Sequence, residues 1–178
     1  MVIISDYQLI FKIEDGKKLF FCGEVKDRTP CPECSEKLKY RDSVLRTFKE
    51  EGGDKNSIII RRLKCCYCLS LHRELPDFIA PHKHYTTDVI ENVVDELIND
   101  GDYDYPCERT MIRWKNWTLR NTSGINGYLK SIAFRMLNFS GEFLESGVCL
   151  LNKLQEEGEG WLGKVLRVIY NSGGFLPP

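Results

Sequence analysis

Cys31-Pro32-Glu33-Cys34 and Cys65-Cys66-Tyr67-Cys68 are two C-x2-C pairs, the second with an extra cysteine inside it. Two residues between thiols let both sulfurs of a pair face one point at the tip of a tight turn. Two such knuckles brought together supply four soft ligands at about 2.3 Å, the set that tetrahedral zinc prefers. The same thiolates also suit an iron–sulfur cluster or a redox dithiol, although a thioredoxin-like dithiol needs a βαβ surrounding that this sequence lacks. The spacing favours one structural Zn2+ per chain, on Cys31, Cys34, Cys65 and Cys68. With all four positions filled by cysteine there is no open coordination position, which disfavours hydrolysis at the metal. Cys66 breaks the two-residue spacing and is expected beside the centre or at the surface. Cys22, Cys107 and Cys149 are expected to be buried or partly buried small hydrophobes.

His72, His82 and His84 follow the second knuckle. No Ser or Cys nucleophile stands near them in a recognisable local context, so backbone carbonyls or phosphate are their expected partners. No catalytic residue is assigned, and the chain reads as a non-enzyme.

A second constellation depends on sign. Between Tyr85 and Glu108 the acidic residues are Asp88, Glu91, Asp95, Glu96, Asp100, Asp102, Asp104 and Glu108, with no Lys or Arg. From Arg109 to Arg135 the sign inverts: Arg109, Arg113, Lys115, Arg120, Lys130 and Arg135 occur without one Asp or Glu. On a helix, Arg109, Arg113, Asn116 and Arg120 fall on one stripe and Met111 and Trp114 on the opposite side. Arg and Asn are the side chains that read guanine and adenine edges in a major groove, which makes this segment a candidate recognition helix. Trp114 is expected in the core, and Trp117 at the edge of the stripe. The acidic connection Asn99 to Pro106 is longer than a standard helix-turn-helix turn, so Asp100, Asp102 and Asp104 must point away from a duplex.

The elements that would hold these residues follow from periodicity and turn chemistry. Val2 to Phe21 reads as a hairpin around Asp15-Gly16. Leu38 to Phe48 and Ser57 to Lys64 read as strands flanking a Gly-rich tip at Glu50 to Asn56. Leu75 to Pro81 reads as a linker, since each Pro removes a donor. Beyond it the period becomes helical: Val89 to Leu97 with Thr86 or Thr87 as N-cap, Cys107 to about Arg120 ending at Ser123-Gly124, and three further patterns. These are Leu129 to Met136, Leu144 to Leu154, and Trp161 to Ile169. The expected fold class is α+β, a β-rich zinc ribbon followed by an all-helical, helix-turn-helix-like part. Its divisions are 1–29 hairpin, 30–81 zinc ribbon, 82–122 helix-turn-helix-like segment and 123–178 helices packing on it.

Composition bounds the function classes. The 178 residues are 42% hydrophobic and 29% charged, with 25 Lys+Arg against 26 Asp+Glu, which fits a globular protein and excludes wholesale disorder. No apolar run approaches the roughly 18 residues of a membrane span, and no signal peptide is recognisable, so a cytoplasmic address is expected. Eight cysteines in a reducing compartment argue for metal rather than disulfides.

Cys31-Pro32-Glu33-Cys34, Ile60-Arg61-Arg62-Leu63-Lys64-Cys65 through Cys68, His72-Arg73-Glu74-Leu75-Pro76-Asp77 and Cys107-Glu108-Arg109-Thr110-Met111-Ile112-Arg113-Trp114 together carry a resemblance. From about Pro30 to Trp117 the chain resembles bacterial proteins of unknown function related to the zinc-ribbon and helix-turn-helix front ends of insertion-sequence transposases. It departs at Leu69, where such proteins often have Gly, and at Cys107, where Ser would cap the helix. The resemblance implies association with DNA and mobile elements. A DDE-type catalytic domain needs three metal-binding carboxylates on an RNase-H-like sheet, which the helical patterns after Trp117 do not provide. The expected function is a non-catalytic, zinc-dependent DNA-binding protein, a transposition accessory factor or regulator. Arg109, Arg113, Asn116 and Arg120 would face the duplex, and Lys130, Arg61, Arg62 and Arg73 would neutralise phosphates. Duplex DNA is the expected partner, with a transposase or recombinase and a second copy of the chain as further candidates. The alternative is a zinc-ribbon adaptor that binds protein and not DNA.

Overall fold

The computed structural model describes residues 1–14, 16–25, 29–97, 106–133 and 149–178. Its first half is a curled six-stranded sheet and its second half is helical. The strands are β1 (Val2–Ile4), β2 (Tyr7–Glu14), β3 (Lys17–Val25), β4 (Leu38–Lys49), β5 (Lys55–Cys65) and β6 (Leu71–Pro76). β2 and β3 pair antiparallel as the alternating sequence requires, and Gly16 turns between them at a φ of 72°, where a side chain would be strained. β5 is the spine. It pairs with β4 along one edge; along the other, Ser57 to Ile59 pair with β3 and Arg61 to Lys64 with β6. The Gly-rich tip between β4 and β5 closes through a short 3-10 turn at Glu51–Gly53.

Two features depart from the local reading. β1 is not an arm of the hairpin; it runs parallel to β6, a pairing between segments some seventy residues apart that no local pattern encodes. The expected linker begins inside β6, whose Leu75 and Pro76 are buried against β1.

The helices are α1 (Thr87–Val94), α2 (Glu108–Tyr128), α3 (Leu150–Glu156) and α4 (Trp161–Asn171), with a π-helical turn at Leu129–Ala133 continuing α2. Ser123-Gly124 does not end α2 as expected. Gly inside a helix costs about 1 kcal/mol, but Ile125 and Leu129, both fully buried, hold the following turns. Asp15, Asp100, Asp102, Asp104, Arg135, Met136, Leu144 and Val148 lie outside the described residues.

One hydrophobic core joins the halves. Phe48, Ile58, Ile60 and Leu75 of the sheet meet Val89, Ile90, Trp114, Ile125, Trp161 and Leu166 of the helices. Segments before and after residue 30 share the sheet, and segments before and after residue 82 share the core. β1 is covered by α4, where the Asn171 side chain accepts from the Ile3 N–H (2.7 Å) and donates to the Ile3 carbonyl (2.8 Å). That amide supplies the partners a further strand would have given.

Candidate metal centre

The sequence folds the two C-x2-C segments into similar reversals of the chain. In the first, the Cys31 N–H donates to the Glu36 carbonyl (2.8 Å) and the Ser35 N–H to the Cys31 carbonyl (2.8 Å). In the second, the Cys65 N–H donates to the Ser70 carbonyl (3.0 Å), again five residues on. The residue after each closing cysteine is left-handed, Ser35 at φ 62° and Leu69 at φ 64°. The Cys66 N–H donates to the Lys37 carbonyl (3.1 Å) and ties the second knuckle to the first. At Gly173, with a φ of 83°, a Cβ would stand 2.8 Å from the Pro32 carbonyl oxygen, so the chain after α4 packs closely on the first knuckle.

Leu69 explains the departure noted in the sequence. A left-handed non-glycine residue costs roughly 1–2 kcal/mol, partly offset by the unfolded-state entropy that glycine adds. Leu69 is 60% exposed and gives up little packing. Leu69→Gly is expected to raise the melting temperature of the metal-loaded protein by about 2 °C, from a gain of up to about 1 kcal/mol. An unchanged or lower midpoint in a thermal scan contradicts this.

The sulfurs converge. Cys31 and Cys68 Sγ are 3.6 Å apart, Cys34 and Cys65 Sγ are 3.4 Å apart, and all four lie within 4.8 Å of one another. Four ligands at about 2.3 Å from a tetrahedral ion stand roughly 3.8 Å apart, so the arrangement fits such an ion, and these four cysteines could hold a metal. All eight cysteines are unpaired in the structure. Cys66 is exposed at the surface. Cys22 and Cys149 are half-buried, but Cys107 is exposed, against expectation. It occupies the N-cap of α2 without capping, its Sγ lying 3.3 Å from the Thr110 hydroxyl instead.

Without an ion the thiols do not ionise alike. For Cys65, burial opposes ionisation, but N–H groups of Tyr67 and Cys68 and the neighbouring thiols outweigh it and draw the group down to about 6. For Cys34, a backbone N–H at Glu36 favours the thiolate, yet burial and the surrounding sulfurs push the group up to about 12. A divalent cation bound to all four would remove their remaining protons.

His72, on β6, is buried and lies with Nε2 3.4 Å from Cys31 Sγ and Nδ1 3.0 Å from the Met1 nitrogen. If Nδ1 accepts from Met1, the ring proton sits on Nε2 and points at the Cys31 sulfur, the arrangement that orients a thiolate ligand. Sequence reasoning expected a carbonyl or phosphate partner here. Only the parallel pairing of β1 with β6 brings Met1 to this ring. Glu33 accepts from the Ser70 hydroxyl, a bond that holds its carboxyl below the usual range and joins the two knuckles at their rim.

Residues 31–114 match DUF6431, a domain of unknown function. The DUF6431 segment begins at the first thiol of the cluster and ends at Trp114, so it takes in the whole candidate centre, β4 to β6, α1 and the start of α2. No curated protein and no solved structure matches the chain.

Within the DUF6431 segment and just beyond it lie the basic residues singled out from the sequence. Arg109, Arg113, Asn116 and Arg120 are all exposed on α2, opposite buried Met111 and Trp114. The Trp114 ring meets Tyr85 edge-on at 5.1 Å. Trp117 is buried, its indole N–H donating to the Pro177 carbonyl (2.6 Å), and the Lys83 ammonium sits 4.5 Å above its ring. Lys130 is exposed in the π-helical turn beyond α2. On the sheet, Arg61 is bound to Glu74 at 2.5 Å, and Arg62 is held by both Asp42 carboxylate oxygens at 2.5 Å. Adjacent strand residues face opposite sides, so Arg61 and Arg62 do not share a surface. Arg73 pairs in register with Arg62 and is exposed, without a carboxylate partner among the described residues. The four helix residues are thus brought together, whereas two of the three sheet arginines are occupied.

Proposed function

We propose that the chain is a non-catalytic DNA-binding protein, an accessory factor or regulator of the transposase-like kind, in which one zinc ion on Cys31, Cys34, Cys65 and Cys68 holds a zinc ribbon. In this reading α1 and α2 act as a helix-turn-helix-like pair, with α2 entering a major groove. The observation that carries it is the solvent-facing line Arg109, Arg113, Asn116 and Arg120. The line is about 17 Å long on a straight helix, close to five base pairs of rise, and is backed by buried Met111 and Trp114, which set its direction. The 95–107 connection is longer than a standard turn, so the pair is a variant of the motif.

Arg113→Ala and Asn116→Ala are expected to cost roughly 1 to 3 kcal/mol each at one base position and to relax specificity there. Lys130→Ala is expected to weaken all sequences alike and to reduce the salt slope by about one. The measurement is selection of bound fragments from random duplex DNA followed by titrations at several salt concentrations. Arg113→Ala and Asn116→Ala proteins that bind as wild type at every salt sink the recognition-helix reading.

One observation favours a second reading, the zinc-ribbon adaptor. Tyr67 and Leu69 at the tip of the second knuckle are 77% and 60% exposed, and Leu71 beside them is exposed as well. Such a tip fits a protein surface better than a phosphate backbone. Absence of any duplex shift at low salt, together with partner capture lost in Tyr67→Ser, supports the adaptor.

A further inference from the structure

Between β4, β6 and the 81–84 loop lies a cavity of about 390 Å³ lined by Met1, Arg46, Arg73, His82, Lys83 and His84 over Ile60. Among the described residues, no Asp or Glu lines it. Nη2 of Arg46 donates to the carbonyls of Ala80 (2.7 Å) and Lys83 (2.8 Å), which fastens the loop to the sheet but supplies only neutral acceptors. Arg46 and Arg73 have no ion pair among the described residues. Burial and the nearby charge of Arg73 both hold the Arg46 guanidinium below its usual value, and burial and Arg113 do the same to the Lys83 ammonium. Arg73 on β6, Arg46 and Lys83 thus share one cleft, and Arg113 on the exposed stripe of α2 is near enough to Lys83 to be felt by its ammonium. Like charges gathered in a partly desolvated cleft repel one another, and a bound anion relieves the repulsion. The elements that carry them are fixed by the core, so the cleft is formed before any ligand arrives.

We infer that this cleft binds a phosphate group, and that the phosphate is a backbone phosphodiester of duplex DNA lying along α2. The identity of the phosphate's source rests on the DNA-binding reading; the cleft itself does not. A phosphodiester here would add a contact that fixes register without reading sequence.

The test uses the full metal-loaded chain and two probes, pyrophosphate by titration calorimetry and a random-sequence duplex titrated at several salt concentrations. Arg73→Ala is the informative variant, because this side chain is exposed and its removal leaves the loop bonds of Arg46 intact. It is expected to weaken both probes about fivefold and to make the log–log salt slope for the duplex shallower by about 0.9. Arg46→Met is expected to act in the same direction and more strongly. Duplex binding that responds to Arg113→Ala but not to Arg73→Ala overturns the cleft and leaves the DNA-binding reading standing. Pyrophosphate binding that depends on Arg73, in a protein that ignores duplex DNA at every salt, keeps the cleft as a site for a soluble phosphate-bearing ligand and overturns its assignment to DNA. Equal binding of both probes by wild type and Arg73→Ala removes the cleft altogether.

Discussion

Cys34→Ser is expected to abolish metal binding and to unfold the end of the sheet nearest the knuckles. The apparent binding energy of a structural zinc ion, about 10 to 16 kcal/mol, is comparable to the whole stability of a domain. The paired strand ends, the Cys31–His72 contact and the close packing of Gly173 on Pro32 remain when the ion is lost, but they bury little apolar surface. The main core is built from Phe48, Ile58, Ile60 and Leu75 with the helices, and the four thiols lie outside it. With one ligand gone, the Cys66 N–H bond to Lys37 and the Glu33 bridge to Ser70 still join the knuckles, but both lie near solvent. Elemental analysis of the purified variant should find less than a tenth of the wild-type metal, and hydrogen exchange should accelerate in Leu38–Tyr40, Leu63–Cys65 and Leu71–His72, the paired ends of β4, β5 and β6. Cys66→Ser is the control and is expected to keep full metal content. Retention of metal and midpoint by Cys34→Ser, or loss of metal by Cys66→Ser alone, means the ligand set is a different one.

Glu91→Ala is expected to destabilise the helical half by about 3 kcal/mol. Glu91 is 3% exposed, although it belongs to the acidic run between Tyr85 and Glu108. Its carboxylate reaches across to the start of α4, where Oε2 accepts from the Gly160 N–H (2.7 Å) and Oε1 from the Leu162 N–H (2.8 Å). Asp95, one turn on, accepts from the Trp161 indole (2.8 Å) and the Gln155 amide (2.9 Å). α4 has no capping side chain of its own, because its N-cap is Gly160; Glu91 fills that role from another helix. Removing it strands two N–H groups at a buried helix start, at about 1 to 3 kcal/mol each. A midpoint lowered by roughly 10 °C in a thermal scan is the expected result. A change under 2 °C would mean that water satisfies those donors.

The pH dependence gives an independent check. Burial outweighs the N–H bonds and holds the Glu91 carboxyl above its ordinary range. The folded state therefore binds a proton at a higher pH than the unfolded chain. The stabilisation linked to that proton is fully present below the ordinary value and is lost as pH rises through the folded value. Glu91→Gln, uncharged throughout, should remove this contribution from the stability profile. An unchanged profile argues that Glu91 does not titrate in this way.

How much of this was legible in the chain differs by element. The knuckles were, because C-x2-C is a local constraint: two residues fix how two sulfurs can converge. The β2–β3 and β4–β5 hairpins were legible for the same reason, each being an alternating pattern closed by its own turn. So was the sidedness of α2, since a stripe of Arg and Asn opposite Met111 and Trp114 needs only the helical period to be seen. Its length was not, because tertiary burial of Ile125 and Leu129 overrode the local penalty at Gly124. The rest depended on which distant segments meet. β1 joins β6 rather than β2, and that choice sets Met1 against His72 and His72 against Cys31. Glu91 is one acidic residue in a run of them by sequence, and becomes a buried cap because α4 begins beside it. Arg61 and Arg62 look like free cations until strand register sets Glu74 and Asp42 opposite them, whereas Arg46, which no pattern marked, meets Arg73 and Lys83 in one cleft. By itself the sequence determined the residue types and local periods, hence the four thiols and the basic face. Only the tertiary structure decided which of these charges meet a carboxylate and which meet none among the described residues, because pairing between distant segments is set by register and packing that no short window of sequence contains.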